Sequence, residues 1–221
     1  MKEVYMQKYI IAATGTDIGK TFVTCELIKQ LQKRGKKVAA LKPIISGFDS
    51  NDVENSDTGK LLLAQNLPLS QQNIVAISPW RFETPISPDM AAQDAGQNID
   101  FEEVVKFCRK QSEHDFLFIE TAGGIMTPLN SNHTFLDLCE ELKFPLILVA
   151  GNYVGSISHT LTACNAIDNR NLKISSIIIN ESMESLVSPQ KTIDTLQNFL
   201  PAKIKFSALK RDGELQIADI L

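Results

Sequence analysis

Tyr9 to Arg34 reads YIIAATGTDIGKTFVTCELIKQLQKR. Its first five residues, Tyr9 to Ala13, are an apolar run of strand length. From Lys20 onward the apolar side chains fall at Phe22, Val23, Leu27, Ile28 and Leu31, a spacing that makes one stripe of a helix, and Gly35 stands where that helix would end. Between the two lies Ala13-Thr-Gly-Thr-Asp-Ile-Gly19-Lys20-Thr21. A Gly-Lys-Thr held between a buried strand and an amphipathic helix reads as a phosphate-binding loop. Gly19 lets the backbone close on an anion, successive N–H groups point inward, and the helix brings its positive dipole end to the same place. Lys20 then reaches the β- and γ-phosphates and the Thr21 hydroxyl is a ligand for Mg²⁺. Thr14 takes the place of the first glycine in the G-x-x-x-x-G-K pattern, so the loop departs from the standard form.

The same alternation continues along the chain. Val38 to Leu41, Phe116 to Ile119, Pro145 to Ala150 and Ile174 to Ile179 are short apolar runs, continuous in the manner of strands buried on both faces. Helical segments separate them: Phe101 to Glu113 after a capping Asp100, Thr134 to Leu142, Ser156 to Arg170, and a last helix opened by Ser188 and Pro189 and running through Phe199. This order predicts an α/β fold with a mostly parallel central sheet and helices on both faces. Ser46 to Gln97 is the least regular stretch and is expected to be loop, apart from one helical patch near Leu61 to Ala64.

Composition narrows the function classes. The chain has 221 residues, 43% of them apolar, with 22 basic against 26 acidic side chains. Residues 1–221 are expected to form a single domain, large enough to be stable without disulfides or a structural metal. A net charge of −4 without runs of like charge argues against a nucleic-acid or anionic-membrane partner. Cys25, Cys108, Cys139 and Cys164 show neither Cys-x-x-Cys nor zinc-ligand spacing with His114, His133 or His159, and read as buried thiols of a reducing cytoplasm. Met1 to Lys8 is polar where a signal peptide would be apolar, and no apolar run is long enough to span a bilayer, so a soluble cytoplasmic protein is expected.

A magnesium-nucleotide site also needs carboxylates. Glu120 stands directly after the FLFI strand and before Thr121-Ala-Gly-Gly, at the end of a strand that opens onto the ligand crevice of an open α/β sheet. Asp57, in Asn-Ser-Asp-Thr, is a second candidate, with a helix cap as its alternative reading. Lys42 closes the second strand in Leu-Lys-Pro-Ile-Ile-Ser-Gly and faces the same crevice, where it is either a source of positive charge for phosphoryl and carboxyl groups or a solvated strand-end lysine. Gly155 and Ser156 open a helix and form another candidate anion site.

Taken together, these motifs resemble the dethiobiotin synthetase family over Tyr9 to Leu209. The resemblance is carried by Thr14 to Thr21, Lys42-Pro43-x-x-Ser46-Gly47, Asn55-Ser56-Asp57, Ser87-Pro88, Glu120-x-Ala122-Gly123-Gly124 with Thr127-Pro128-Leu129, and Asn180. It implies a P-loop NTPase-like fold and an ATP- and Mg²⁺-dependent ligase that carboxylates 7,8-diaminopelargonate with CO₂ and closes a ureido ring. Asp17, Ile18, Gly19, Lys20, Thr21 and Phe22 would cradle the ATP phosphates, and Thr21, Asp57 and Glu120 would organise Mg²⁺. Lys42 and Lys20 would be the catalytic lysines. Thr121, Ala122, Gly123, Asn180, Glu181 and Ser207 would complete the nucleotide site, with Asn180 reading adenine. Thr16 and Ser46 would lie beside the substrate's amino end. The substrate carboxylate would sit at Gly155, Ser156 and Ser158 of a partner subunit, which makes the protein a homodimer. Ala13, Gly15, Asp89, Glu181 and Ser207 depart from the residues usual in the family.

Two other readings share parts of this pattern. A partitioning or positioning ATPase has a related loop but carries an extra lysine early in it, and Ala13 to Ile18 contains none. A silent nucleotide-binding module would leave Lys42 and Asp57 as surface charges.

Overall fold

The computed structural model describes residues 6–110, 113–183, 185–210 and 220. In chain order the elements are β1 (Gln7–Ala13), α1 (Lys20–Lys33), β2 (Val38–Leu41), β3 (Ile44–Ser46), α2 (Asp57–Ala64), α3 (Gln71–Ile77), β4 (Trp80–Phe82), α4 (Pro88–Asp94), α5 (Phe101–Cys108), β5 (Phe116–Glu120), α6 (Phe135–Leu142), β6 (Leu146–Gly151), α7 (Ser156–Asp168), β7 (Ile174–Asn180), α8 (Pro189–Gln197) and β8 (Lys205–Leu209). Six strands make one parallel sheet in the order β2-β5-β1-β6-β7-β8, and β3 and β4 pair separately in parallel.

Successive side chains of a strand point to opposite faces, and here both faces are apolar. Ile10 and Ala12 of β1, Leu146, Leu148 and Ala150 of β6 and Ile177 and Ile179 of β7 join one core with α4 to α8. Ile11, Ala13, Ile147, Val149 and Ile178 join a second core with α1, α2 and α3. This double burial is why the strands read as continuous apolar runs. β1 lies between β5 and β6, so the chain leaving β1 enters the crevice at a topological switch point.

The helical patch expected near Leu61 to Ala64 is part of α2, but the structure corrects the reading of the rest of Ser46 to Gln97 as loop, because α3, α4 and β4 lie within it. Each of these helices has a short polar start. Ser56 accepts from the Gly59 amide, Ser70 accepts from the Asn73 amide, and Pro88 stands in the first turn of α4. β8 adds an edge strand that the apolar pattern does not signal. α5 stops at Cys108 rather than Glu113, because no apolar residue follows Cys108 in this segment to extend its buried face; residues 111 and 112 lie outside the described residues, as do residues 1–5 of the polar N-terminal stretch. Among the described residues no helix is long and apolar enough to cross a membrane.

Candidate active site

The phosphate loop forms because β1 ends at Ala13 and α1 begins only at Lys20. Gly19 is the N-cap of α1 in the left-handed region (φ 94°), and no side chain caps the helix there, which leaves its amide end to a ligand. A Cβ at Gly19 would overlap the Asn180 side chain. That amide holds the loop in place, with Asn180 Nδ2 donating to the Ile18 carbonyl at 2.9 Å. Lys20 is buried and spans the loop, donating to the Gly123 carbonyl at 2.7 Å and the Gly15 carbonyl at 3.3 Å.

Beneath the loop, two strand ends, those of β2 and β5, converge with the starts of α1 and α2. Lys42, 3% exposed, donates to Asp57 Oδ2 at 2.6 Å and to Glu120 Oε1 at 2.8 Å. The same Glu120 oxygen accepts from Thr21 Oγ1 at 2.6 Å. Its other oxygen accepts from Thr24 Oγ1 at 2.8 Å, whose hydroxyl also lies 2.9 Å from the Lys20 carbonyl. Glu120 is 1% exposed, and the reading of Lys42 as a solvated strand-end lysine is overturned. Burial disfavours charge throughout this cluster. It works against the Lys42 ammonium, but Glu120 and Asp57 outweigh it and hold the Lys42 pKa above its ordinary value. Burial likewise opposes the Asp57 carboxylate, and Lys42 beside it still holds that carboxyl below the usual range, helped by Thr21 and Lys20. Sequence reasoning missed Thr24, a helical threonine whose polar partner lies 96 residues away.

Thr21, Asp57 and Glu120 present hydroxyl and carboxylate oxygens, the hard donors that suit Mg²⁺, and the Lys42 ammonium between the carboxylates marks a place where they already require a cation. Among the described residues no group of three His, Cys, Asp or Glu side chains could hold a metal unaided. A Mg²⁺ ion bound through one or two carboxylates would keep waters and take phosphate oxygens as further ligands.

For Lys20, burial and then the Lys42 charge lower the pKa from 10.5 to about 8, against Glu120, Asp57 and Asp17. Its folded value lies below its unfolded one, so between them the unfolded chain holds more protons and stability rises with pH. The buried thiols act in the opposite direction. Burial raises Cys25, Cys108 and Cys164 from 9.0 to about 12, and Cys139 is raised as well, so the unfolded chain loses these protons first and stability falls above about pH 9. The Tm of the ligand-free chain is therefore expected to rise from about pH 8 to about pH 9 and then fall. Calorimetry on Lys20→Met should show the fall without the rise.

A cleft of about 1110 Å³ opens above the cluster, lined among others by Thr16, Asp17, Gly19, Lys20, Thr21, Phe22, Lys42, Ser46, Asp57, Ala122 and Gly123. Ser46 Oγ is buried there without a hydrogen-bond partner. A second cavity of about 480 Å³ shares Asp17 and Phe22 and is also lined by Ile18, Tyr153, Asn180, Glu181, Ser182 and Met183. Three of the expected site residues have other engagements within this chain. Ser207 is buried within β8, paired with Ile178, and lines neither cavity. The Thr121 hydroxyl turns to the Ile11 carbonyl at 3.3 Å instead of the cleft. Ser156 already donates its amide to the Tyr153 carbonyl at 3.0 Å, which removes it from the free donors at the start of α7. Gly155 and Ser158 are exposed and line neither cavity of their own chain.

A family model described as an AAA domain matches residues 7–207. Among curated proteins, the chain is similar to the ATP-dependent dethiobiotin synthetase BioD of Phenylobacterium zucineum, 38% identical over 182 residues, which is 81% of this chain and 78% of that protein. The enzyme of the same name from Legionella pneumophila strain Corby is 36% identical over 210 residues, 93% of each chain. Solved structures with a similar fold include the signal recognition particle receptor FtsY from Elizabethkingia anophelis in complex with GDP, at a TM-score of 0.56 and 13% identity over 96% of this chain and 60% of that one. They also include the MinC:MinD cell division complex of Aquifex aeolicus, at 0.54 and 16% over 90% and 80%. These two likenesses concern the fold alone.

Proposed function

The chain belongs to the dethiobiotin synthetase family of ATP-dependent ligases, and on that premise we propose that it carboxylates 7,8-diaminopelargonate with CO₂ and closes the ureido ring at the expense of ATP. The observation that carries this reading is the buried Lys42, held between Asp57 and Glu120 directly beside the Lys20 loop.

In this mechanism one substrate amine adds to CO₂, loses a proton and becomes a carbamate. A carbamate oxygen attacks the γ-phosphorus and ADP leaves. The second amine then attacks the carbonyl carbon and expels phosphate, closing the ring. The sequence needs no protein nucleophile, which agrees with a site that offers lysines, carboxylates and hydroxyls. The loop amides and Lys20 hold the β- and γ-phosphates. Lys42 offsets the charge that gathers between a carbamate and a triphosphate, and its two carboxylate partners fix where its ammonium points. Mg²⁺, held by Thr21, Asp57 and Glu120, would supply charge neutralisation to the phosphate oxygens.

Thr16 and Ser46 are suited to the amino end of the substrate in the larger cleft, and the second cavity to the adenine, beside Asn180 and Glu181. Gly155, Ser156 and Ser158 enter this reading only through a second copy of the chain, whose α7 would bring its N-terminus to the substrate carboxylate. A reducing cytoplasm is the compartment that suits the four buried, unbridged thiols.

The test is phosphate release from ATP with and without the diamino acid and bicarbonate, titrated with Mg²⁺. Release that depends on both co-substrates supports the ligase. Hydrolysis indifferent to them would favour a positioning-type ATPase or a silent module. In the same assay Asp57→Asn and Glu120→Gln are expected each to raise the Mg²⁺ needed for half-maximal rate about tenfold or more, since an amide is a poorer ligand for a hard cation than a carboxylate. An unchanged titration in both would remove them from the metal site.

A further inference from the structure

Asn152 follows β6 directly, is 2% exposed, and lines neither cavity. Every polar group it has is nonetheless committed to one short segment of chain. Its Oδ1 accepts from the Ser182 amide at 2.7 Å, and its own amide donates to Ser182 Oγ at 3.2 Å. Its Nδ2 donates to the Val187 carbonyl. Its carbonyl accepts from Ser185 Oγ at 2.6 Å, and Ser185 Oγ in turn accepts from the Val187 amide at 3.1 Å. The preceding residue, Gly151, leaves room for this arrangement, because a Cβ there would lie 2.7 Å from Ser182 Oγ and 2.8 Å from the Tyr153 ring.

The segment fastened in this way carries Ser182 and Met183, which with Tyr153 form one wall of the second cavity. Little apolar packing holds that wall. Met183 is exposed, as are Leu186 and Val187. Its position therefore depends on hydrogen bonds that converge on one buried residue, two of them to its side-chain amide and two to its backbone, in surroundings where an unmade bond is costly.

We propose that Asn152 is a positioning residue that sets the wall of the nucleobase cavity and so determines how tightly the nucleoside end of ATP is held. The inference rests on the assignment of the two cavities to phosphates and base. A wall that is in place only one-tenth of the time weakens apparent affinity about tenfold. The phosphate loop, which Asn152 does not touch, should be unaffected.

Calorimetric titration of the full chain with ATP and, separately, with inorganic tripolyphosphate distinguishes the two ends of the ligand. Asn152→Ala is expected to weaken ATP about tenfold and leave tripolyphosphate unchanged. Asn152→Asp keeps the acceptor for the Ser182 amide but cannot donate to Val187, and should lose ATP affinity in the same selective way. Ser185→Ala, a loop substitution that spares the core, should weaken ATP by about threefold, again with tripolyphosphate unaffected. Variants that bind ATP as tightly as the parent chain, or lose ATP and tripolyphosphate in parallel, would overturn this role for Asn152 alone. A parent chain that binds tripolyphosphate but gains nothing from the nucleoside would overturn the cavity assignment on which it rests.

Discussion

Replacing Lys42 with Met is expected to lower turnover about 10²–10³-fold and to destabilise the fold at the same time. The two effects share one cause. Lys42 is the ammonium between Asp57 and Glu120, and its removal leaves the Glu120 carboxylate buried with only hydroxyl donors for company. Breaking a buried pair on one side costs about 3–5 kcal/mol, whatever the intact pair contributes. For a chain of this length that corresponds to a Tm loss of roughly 10 °C. Adding Glu120→Gln should recover most of the lost stability and none of the activity, because it removes the orphaned charge without restoring the lysine. A Lys42→Met chain that melted and turned over like the parent would show that the cluster is neither strained by charge nor catalytic.

Lys20→Ala should behave differently. Lys20 bonds two backbone carbonyls, not a carboxylate, and burial and repulsion from Lys42 already depress its pKa to about 8. Taking that charge away at neutral pH relieves the repulsion, so the Tm should hold or rise slightly. Turnover should still fall by about 10³-fold or more, because no neighbouring side chain can replace a cation aimed at the β- and γ-oxygens. The pair of variants thus separates the lysine that carries the fold and the chemistry from the lysine that serves ligand binding. Near-parental turnover of Lys20→Ala at saturating ATP would refute the phosphate-loop assignment.

The parts of this site that were legible in the sequence are those with a local pattern. The strand, loop and helix around Gly19 announce themselves through apolar spacing and a glycine, and Glu120 and Lys42 through their places at the ends of apolar runs. Their mutual contact was not legible, since it joins residues 78 positions apart. β3 and β4 have three residues each, too few for periodicity to register. α2, α3 and α4 left a fainter trace, in Ser56, Ser70 and Ser87-Pro88, which can be read as caps once a helix is suspected. β8 pairs along one edge only, so its mixture of Lys, Ser and Ala carries no core signal. Ser207 was placed at the nucleotide by resemblance, and in the structure it is buried within β8, paired with Ile178.

The sheet order has a consequence for how the chain acquires this site during synthesis. β1 pairs with β5 and β6, and its nearest partner begins about a hundred residues later. At about 5–20 residues per second, the phosphate loop waits roughly 5–20 s on the ribosome before β5 emerges and anchors it. Until then the apolar β1 has no neighbouring strand, and Lys42 and Asp57 have no Glu120. A topology of such high contact order folds late and as a unit, so the nascent N-terminal half is the stage most exposed to aggregation. Folding and assembly of the lysine–carboxylate cluster are then one event, reached when β5 inserts between β2 and β1, and the Asn180 side of the site follows with β6 and β7.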